Sequence, residues 1–168
     1  PLNRGNMGLD MYLEQHHHYG GKYRNEDSHS EGHTLTVKGD FIKKWDIKRE
    51  NISHIVEEVV YWRKANQIHG WFIENVCDGE DECRSTWVEP EKLQELVDIC
   101  YKVLKALDKK NYKRAETLLP PMEGFFFGAY NIKDQWYRDD IEHTIKEIEP
   151  VLQKNRDVFS DFYYIASW

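Results

Sequence analysis

The sequence predicts an α+β domain, with about three helices packed on one face of a mixed or antiparallel sheet that includes the N- and C-terminal strands. Three observations carry this expectation. The chain opens and closes on strand-like stretches, "MGLDMYL" at 7–13 and "DFYYIASW" at 161–168. Between them the apolar residues change from a period of two to a period near 3.6. Strands and helices also fail to alternate regularly, as a doubly wound parallel sheet would require.

The residues justify each element in turn. The polar "PLNRGN" before Met7-Gly8 looks like an expression remnant, with Met7 as the native start and a single domain from 7 to 168. Alternation in the first strand sets Leu9, Met11 and Leu13 on one face and Asp10 and Tyr12 on the other. Asp10 is expected to be hydrogen-bonded to a Tyr, Trp, Arg or His. "EQHHHYGGKYRNEDSHSEGH", residues 14–33, nearly lacks aliphatics and predicts a flexible His-rich loop. Neighbouring His side chains on such a loop rarely converge on one metal ion.

"HTLTVKGDFIKKWDI", residues 33–47, carries β-branched residues on both sides of Lys38-Gly39-Asp40 and reads as a hairpin. "ENISHIVEEVV" continues with alternation and predicts a strand, with a helix start as the alternative. From Tyr61 to Val76, "YWRKANQIHGWFIENV" changes period. Tyr61, Ala65, Ile68, Phe72 and Val76 share a stripe flanked by Trp62, His69 and Ile73, and Arg63, Gln67 and Glu74 point away. This predicts an amphipathic helix ended by Asp78-Gly79, followed by a solvated acidic turn, "DGEDE".

Pro90 opens the next helix, whose buried stripe runs through Leu93, Leu96, Val97, Cys100, Val103, Leu104 and Leu107. "AETLLPP" is a short turn of helix, and "GFFFG" at 124–128 reads as a buried strand. A further helix from Asp134 to about Lys154 carries Tyr137, Ile141, Ile145, Ile148 and Leu152, with Pro150 kinking it or marking its last turn.

Composition narrows function. A net charge of −7 without a basic run argues against nonspecific duplex binding, which rests on phosphate neutralisation. No apolar run approaches the length of a membrane span, and without a charged-then-apolar leader no secretory signal is expected. Three Cys lack zinc-ligand spacing and read as free cytoplasmic thiols. Six Trp and ten Tyr exceed the needs of one core, so some rings are expected at a ligand or subunit surface, and a homo-oligomer is one outcome.

The candidate site residues are Asp10, Tyr61, Arg63, Lys64, Asn66, His69 and Trp71. Arg63 and Lys64, with Tyr61, supply charge and a ring for an anion such as phosphate. Trp71, on the side away from the apolar stripe, would be exposed for stacking on a base. His69, on that stripe, needs a partner at each ring nitrogen, with Asp10 or a Tyr hydroxyl available. There is no GxGxxG and no GxxxxGK[ST], so side chains would have to hold any nucleotide. Asp139 and His143 form a weak pair without a third metal ligand, and no metal or cofactor is called for. No nucleophile context is visible, which argues against an enzyme more than for one.

"MGLDMYL", "YWRKANQIHGWFIENV", "GFFFG" followed by "WYRDDIEHTI", and terminal "FYYIASW" together resemble a family of small bacteriophage proteins of uncharacterised function. The resemblance implies action in the cytoplasm of an infected host cell and carries no residue roles. The expectation that follows is an accessory protein sequestering a small anionic ligand, such as a nucleotide-derived signal of host defence. The alternatives are a protein-binding inhibitor of a host factor and a nucleotide hydrolase with His69 as base and Asp10 orienting it.

Overall fold

The computed structural model describes residues 8–18, 48, 51–122, 131–154 and 160–168. Four strands form one antiparallel sheet: β1 (Asp10–His18), β2 (His54–Arg63), β3 (Thr86–Val88) and β4 (Ser160–Ser167), in the order β2-β1-β4-β3. Among the described residues four helices accompany it: α1 (Asn66–Asn75), α2 (Pro90–Asp108), α3 (Tyr112–Leu118) and α4 (Gln135–Gln153). The protein is therefore α+β, with the first and last strands as neighbours at the middle of the sheet.

Period-two alternation decides which face is covered. Met11 lies opposite Trp62 and Ala166, Leu13 opposite Val60 and Tyr164, and Val88 opposite Phe162. All eight are buried. They make the floor on which Leu93, Leu96, Tyr137, Ile141 and Ile148 pack. The other face carries Asp10, Tyr12, Tyr61 and Trp87, and there Tyr61 is 41% and Trp87 49% exposed. The aromatic strand β4 thus lies beside β1, not over Asp10.

Helices α2 and α4 match their expected stripes, because both bury an apolar line at 3.6-residue spacing. In α4, Pro150 sits in the last turn, where it gives up one i→i−4 backbone hydrogen bond and only three helical residues follow it. The short turn read in "AETLLPP" is part of α3, capped by Asn111, whose side chain accepts from the Arg114 N–H at 3.1 Å.

Three expectations are corrected. Tyr61, Trp62 and Arg63 belong to β2 and not to a helix, because β1 pairs with them down to Asp10↔Arg63; the helix begins only at Asn66. Residues 14–18 extend β1 instead of opening the loop, since both neighbouring strands continue alongside them. Gln67 does not point to solvent: α1 is buried nearly all round, from Asn66 to Ile73 apart from Gly70, which is half-buried. Strand β3 went unforeseen, because three residues are too few for a period to show. The hairpin over 33–47, the remaining loop to His33 and the "GFFFG" strand lie outside the described residues.

Candidate functional site

The end of β2 and the start of α1 gather most of the residues that the sequence singled out. The two elements are joined by Lys64, whose φ of 59° is left-handed. Such a backbone is uncommon for a residue with a side chain, and it persists only where neighbours hold it. Here the Lys64 N–H donates to the Leu9 carbonyl at 2.8 Å, and the Asn66 N–H donates to the Lys64 carbonyl at 2.9 Å. Gly8 lies close underneath, where an added Cβ would meet the Lys64 side chain at 3.1 Å.

On the open face, Arg63 stands opposite Asp10, and Tyr61 opposite Tyr12. The Tyr61 hydroxyl donates to the Asp10 carboxylate at 2.5 Å, and its ring lies 5.3 Å from that of Tyr12. That hydrogen bond, helped by partial burial, pushes the Tyr61 hydroxyl up to about 12. Asp10 is thus the anchored carboxylate expected, with a tyrosine as its partner.

Helix α4 backs the junction with three residues at i, i+3 and i+4. His143 Nε2–H donates to the Tyr61 carbonyl at 2.9 Å. Trp62 Nε1–H donates to the Thr144 hydroxyl at 2.9 Å, and that hydroxyl donates to the Asp140 carbonyl at 2.7 Å. Gln67 Nε2–H donates to the Asp140 carboxylate at 3.0 Å, while the buried Gln67 Oε1 meets no hydrogen-bond partner among the described residues. Burial raises the Asp140 carboxyl to about 6, against the opposing Gln67 hydrogen bond and the nearby His143. A buried carbonyl beside a buried acid adds a desolvation cost to this end of the sheet.

His69 and Trp71 lie away from this surface. His69 is fully buried, with Nδ1 2.7 Å from the Tyr164 hydroxyl and Nε2 3.0 Å from Asp81. Asp81 accepts only, so Nε2 carries the proton and Nδ1 accepts from Tyr164. Desolvation lowers the His69 pKa, and Asp81 opposes it by charge and hydrogen bond. The acid partner is therefore Asp81, not Asp10, and the acidic turn is not wholly solvated. With both nitrogens engaged, His69 joins α1 to β4 and to the turn after α1.

Trp71 is also corrected. It is 6% exposed, set edge-on to Phe72 at 5.3 Å, and offers no open stacking face. Its ring borders a cavity of about 450 Å³ on the far side of α1. Asn66 is fully buried at the first turn of the helix. The seven predicted residues thus divide: Asp10, Tyr61, Arg63 and Lys64 are on the outer side of the junction, and Asn66, His69 and Trp71 are inside.

Gln67, Asp140 and Asp81 were not among the candidates. The spacing of Asp140, His143 and Thr144 along one helix face was the signal for the α4 side of the junction. The three histidines of β1 are held by carboxylates: His16 by Glu14 at 3.0 Å, His17 by Glu57 at 3.1 Å and His18 by Asp161 at 3.0 Å. Among the described residues no group of three His, Cys, Asp or Glu is placed to hold a metal ion, and no helix is long and apolar enough to cross a membrane.

Compared with protein-family models, with curated proteins and with solved structures, the chain matches none.

Proposed function

We propose that the protein binds and holds a small anionic ligand at the β2–α1 junction. The observation that carries this reading is the pairing of two exposed cations, Arg63 and Lys64, with the exposed Tyr61 ring on a strained and buttressed turn. A ring for stacking beside cations for phosphate is what a nucleotide-like molecule needs when no Gly-rich loop is present. Local charge of this kind is compatible with the net charge of −7. The resemblance to small phage proteins supplies the setting: an accessory protein sequestering a nucleotide-derived signal of host defence in the infected cell. Holding such a signal requires affinity without turnover, and the buried Asp81–His69–Tyr164 chain has both imidazole nitrogens committed.

The test is thermal shift and calorimetry against linear and cyclic nucleotides. Binding should raise the melting temperature, and Lys64→Ala and Tyr61→Ala should each weaken it about tenfold. Absence of any ligand-induced shift overturns the reading. Ligand recovered chemically altered from the mixture would instead favour a nucleotide hydrolase.

A second reading is favoured by the remainder of the open face. Exposed Trp87 lies beside Asp161, and Glu58 of β2, opposite Glu14, is exposed. An acidic face with protruding aromatic rings suits a basic protein partner, as an inhibitor of a host factor would use. Recovery of one stoichiometric protein from host lysate, lost in Trp87→Ala, would favour it.

A further inference from the structure

The geometry points to a second ligand site, in the cavity behind α1, for a small aromatic or aliphatic amine. The cavity holds about 450 Å³, within the range that encloses a small molecule. Its apolar lining comes from three places: Trp71 and Ile73 of α1, Ile99 of α2, and Leu119 and Met122 after α3. Trp71 is nearly buried, so an indole forms part of a shaped wall and not a loose surface ring. Gly70 lets Met122 pack closely against α1, because a Cβ there would stand 3.2 Å from the Met122 Cβ. Arg63 and Lys64 do not line it, so this site is separate from the junction.

The polar groups of the rim fix the chemistry of the occupant. They are Glu74, Asn75 and Thr117, all exposed. The Thr117 hydroxyl already donates to the Lys113 carbonyl at 2.8 Å, which leaves its oxygen as an acceptor. Asn75 commits amide hydrogen to the Trp71 carbonyl at 2.8 Å. Glu74 is a carboxylate. The rim therefore offers mainly acceptors and one negative charge, around an apolar floor with an aromatic wall. A ligand that complements it carries an apolar body and a protonated amine. A carboxylate of the same shape meets Glu74 with like charge.

The experiment titrates the full chain with 4-phenylbutylamine and with 4-phenylbutyrate, matched in ring and tether and opposite in charge. Binding is followed by two-dimensional NMR, with the Trp71 indole N–H assigned through Trp71→Phe. The amine should shift that resonance saturably, and the acid should bind at least about tenfold more weakly. Glu74→Gln, at an exposed helix position, should remove most of the difference. Thr117→Trp, at the exposed rim, should block the amine while the rest of the spectrum keeps its folded dispersion. No saturable shift with either probe overturns the proposal. Equal binding of the two probes, or amine binding that survives Thr117→Trp, overturns it too.

Discussion

Tyr164 and Asp140 show how one polar atom can set the behaviour of a single side chain. The Tyr164 hydroxyl hydrogen-bonds Nδ1 of fully buried His69, so Tyr164→Phe removes that hydrogen bond from the core. Stability should fall by about 1–3 kcal/mol in urea unfolding at neutral pH. Asp140 works in the opposite sense. Its folded pKa of about 6 lies above the value for a free carboxyl, so its proton stabilises the fold. That contribution is complete below pH 4 and is lost as the pH rises through 6. Asp140→Asn should therefore stabilise the protein at pH 8, by on the order of 1–2 kcal/mol, and make no difference at pH 4. Parallel denaturant curves at the two pH values check both halves of this statement. Asp10 was legible because a strand puts its odd and even residues on different faces, and the face that Asp10 shares with Tyr12 also carries its partner Tyr61. Gln67 was not, because an amphipathic frame assigns it to solvent, whereas α1 has neighbours on nearly every side.

At the scale of elements, helices with a cap and a single apolar stripe could be read directly, and the strand-to-helix boundary could not. Pro90 and the leucines after it mark α2 unambiguously. Tyr61 to Arg63 fit a helical stripe equally well as they fit a strand, and the ladder to β1 is what decides. That ladder is a contact between distant residues, absent from any local window. Helix α3 tests local capping: at seven residues it is too short to persist on intrinsic propensity. Asn111→Ala removes the acceptor for the Arg114 N–H and should cost about 1 kcal/mol, measured by thermal unfolding. Faster amide exchange confined to Tyr112–Leu118 should accompany it. The β-bulge between Leu13 and Glu14 has a similar local effect on β2, where it carries the pairing past Val59 so that Glu58 meets Glu14.

Across the whole molecule, Trp62 ties the sheet to the helical layer. It is 2% exposed on β2, lies 5.9 Å from Phe72 of α1, and hydrogen-bonds Thr144 of α4. Trp62→Ala should lose about 3–5 kcal/mol, enough to unfold a marginal domain at moderate temperature, and circular dichroism would register it. The overall class and the place of both end strands in one sheet were readable, because both terminal stretches are apolar on one side and must share a buried face. The order β2-β1-β4-β3 was not, since nothing local to β3 announces its pairing with β4.

That strand order also fixes when the fold can close. The central ladder joins Asp10 to Ser167 and His17 to Ser160, so nearly all of the helical layer is a loop bridged by one pair of strands. Closing so long a loop costs chain entropy before any strand contact repays it. Helices α2 and α4 can assemble from nearer neighbours, but β1 gains its second partner only when β4 arrives. Refolding should therefore run on the order of milliseconds to seconds, slower than a helical bundle of this length, with β1 amides protected last in pulse-labelling exchange. In a cell, β1 leaves the ribosome long before β4 exists, and until then β2 can cover only the opposite edge of β1, leaving the edge along which β4 will pair open.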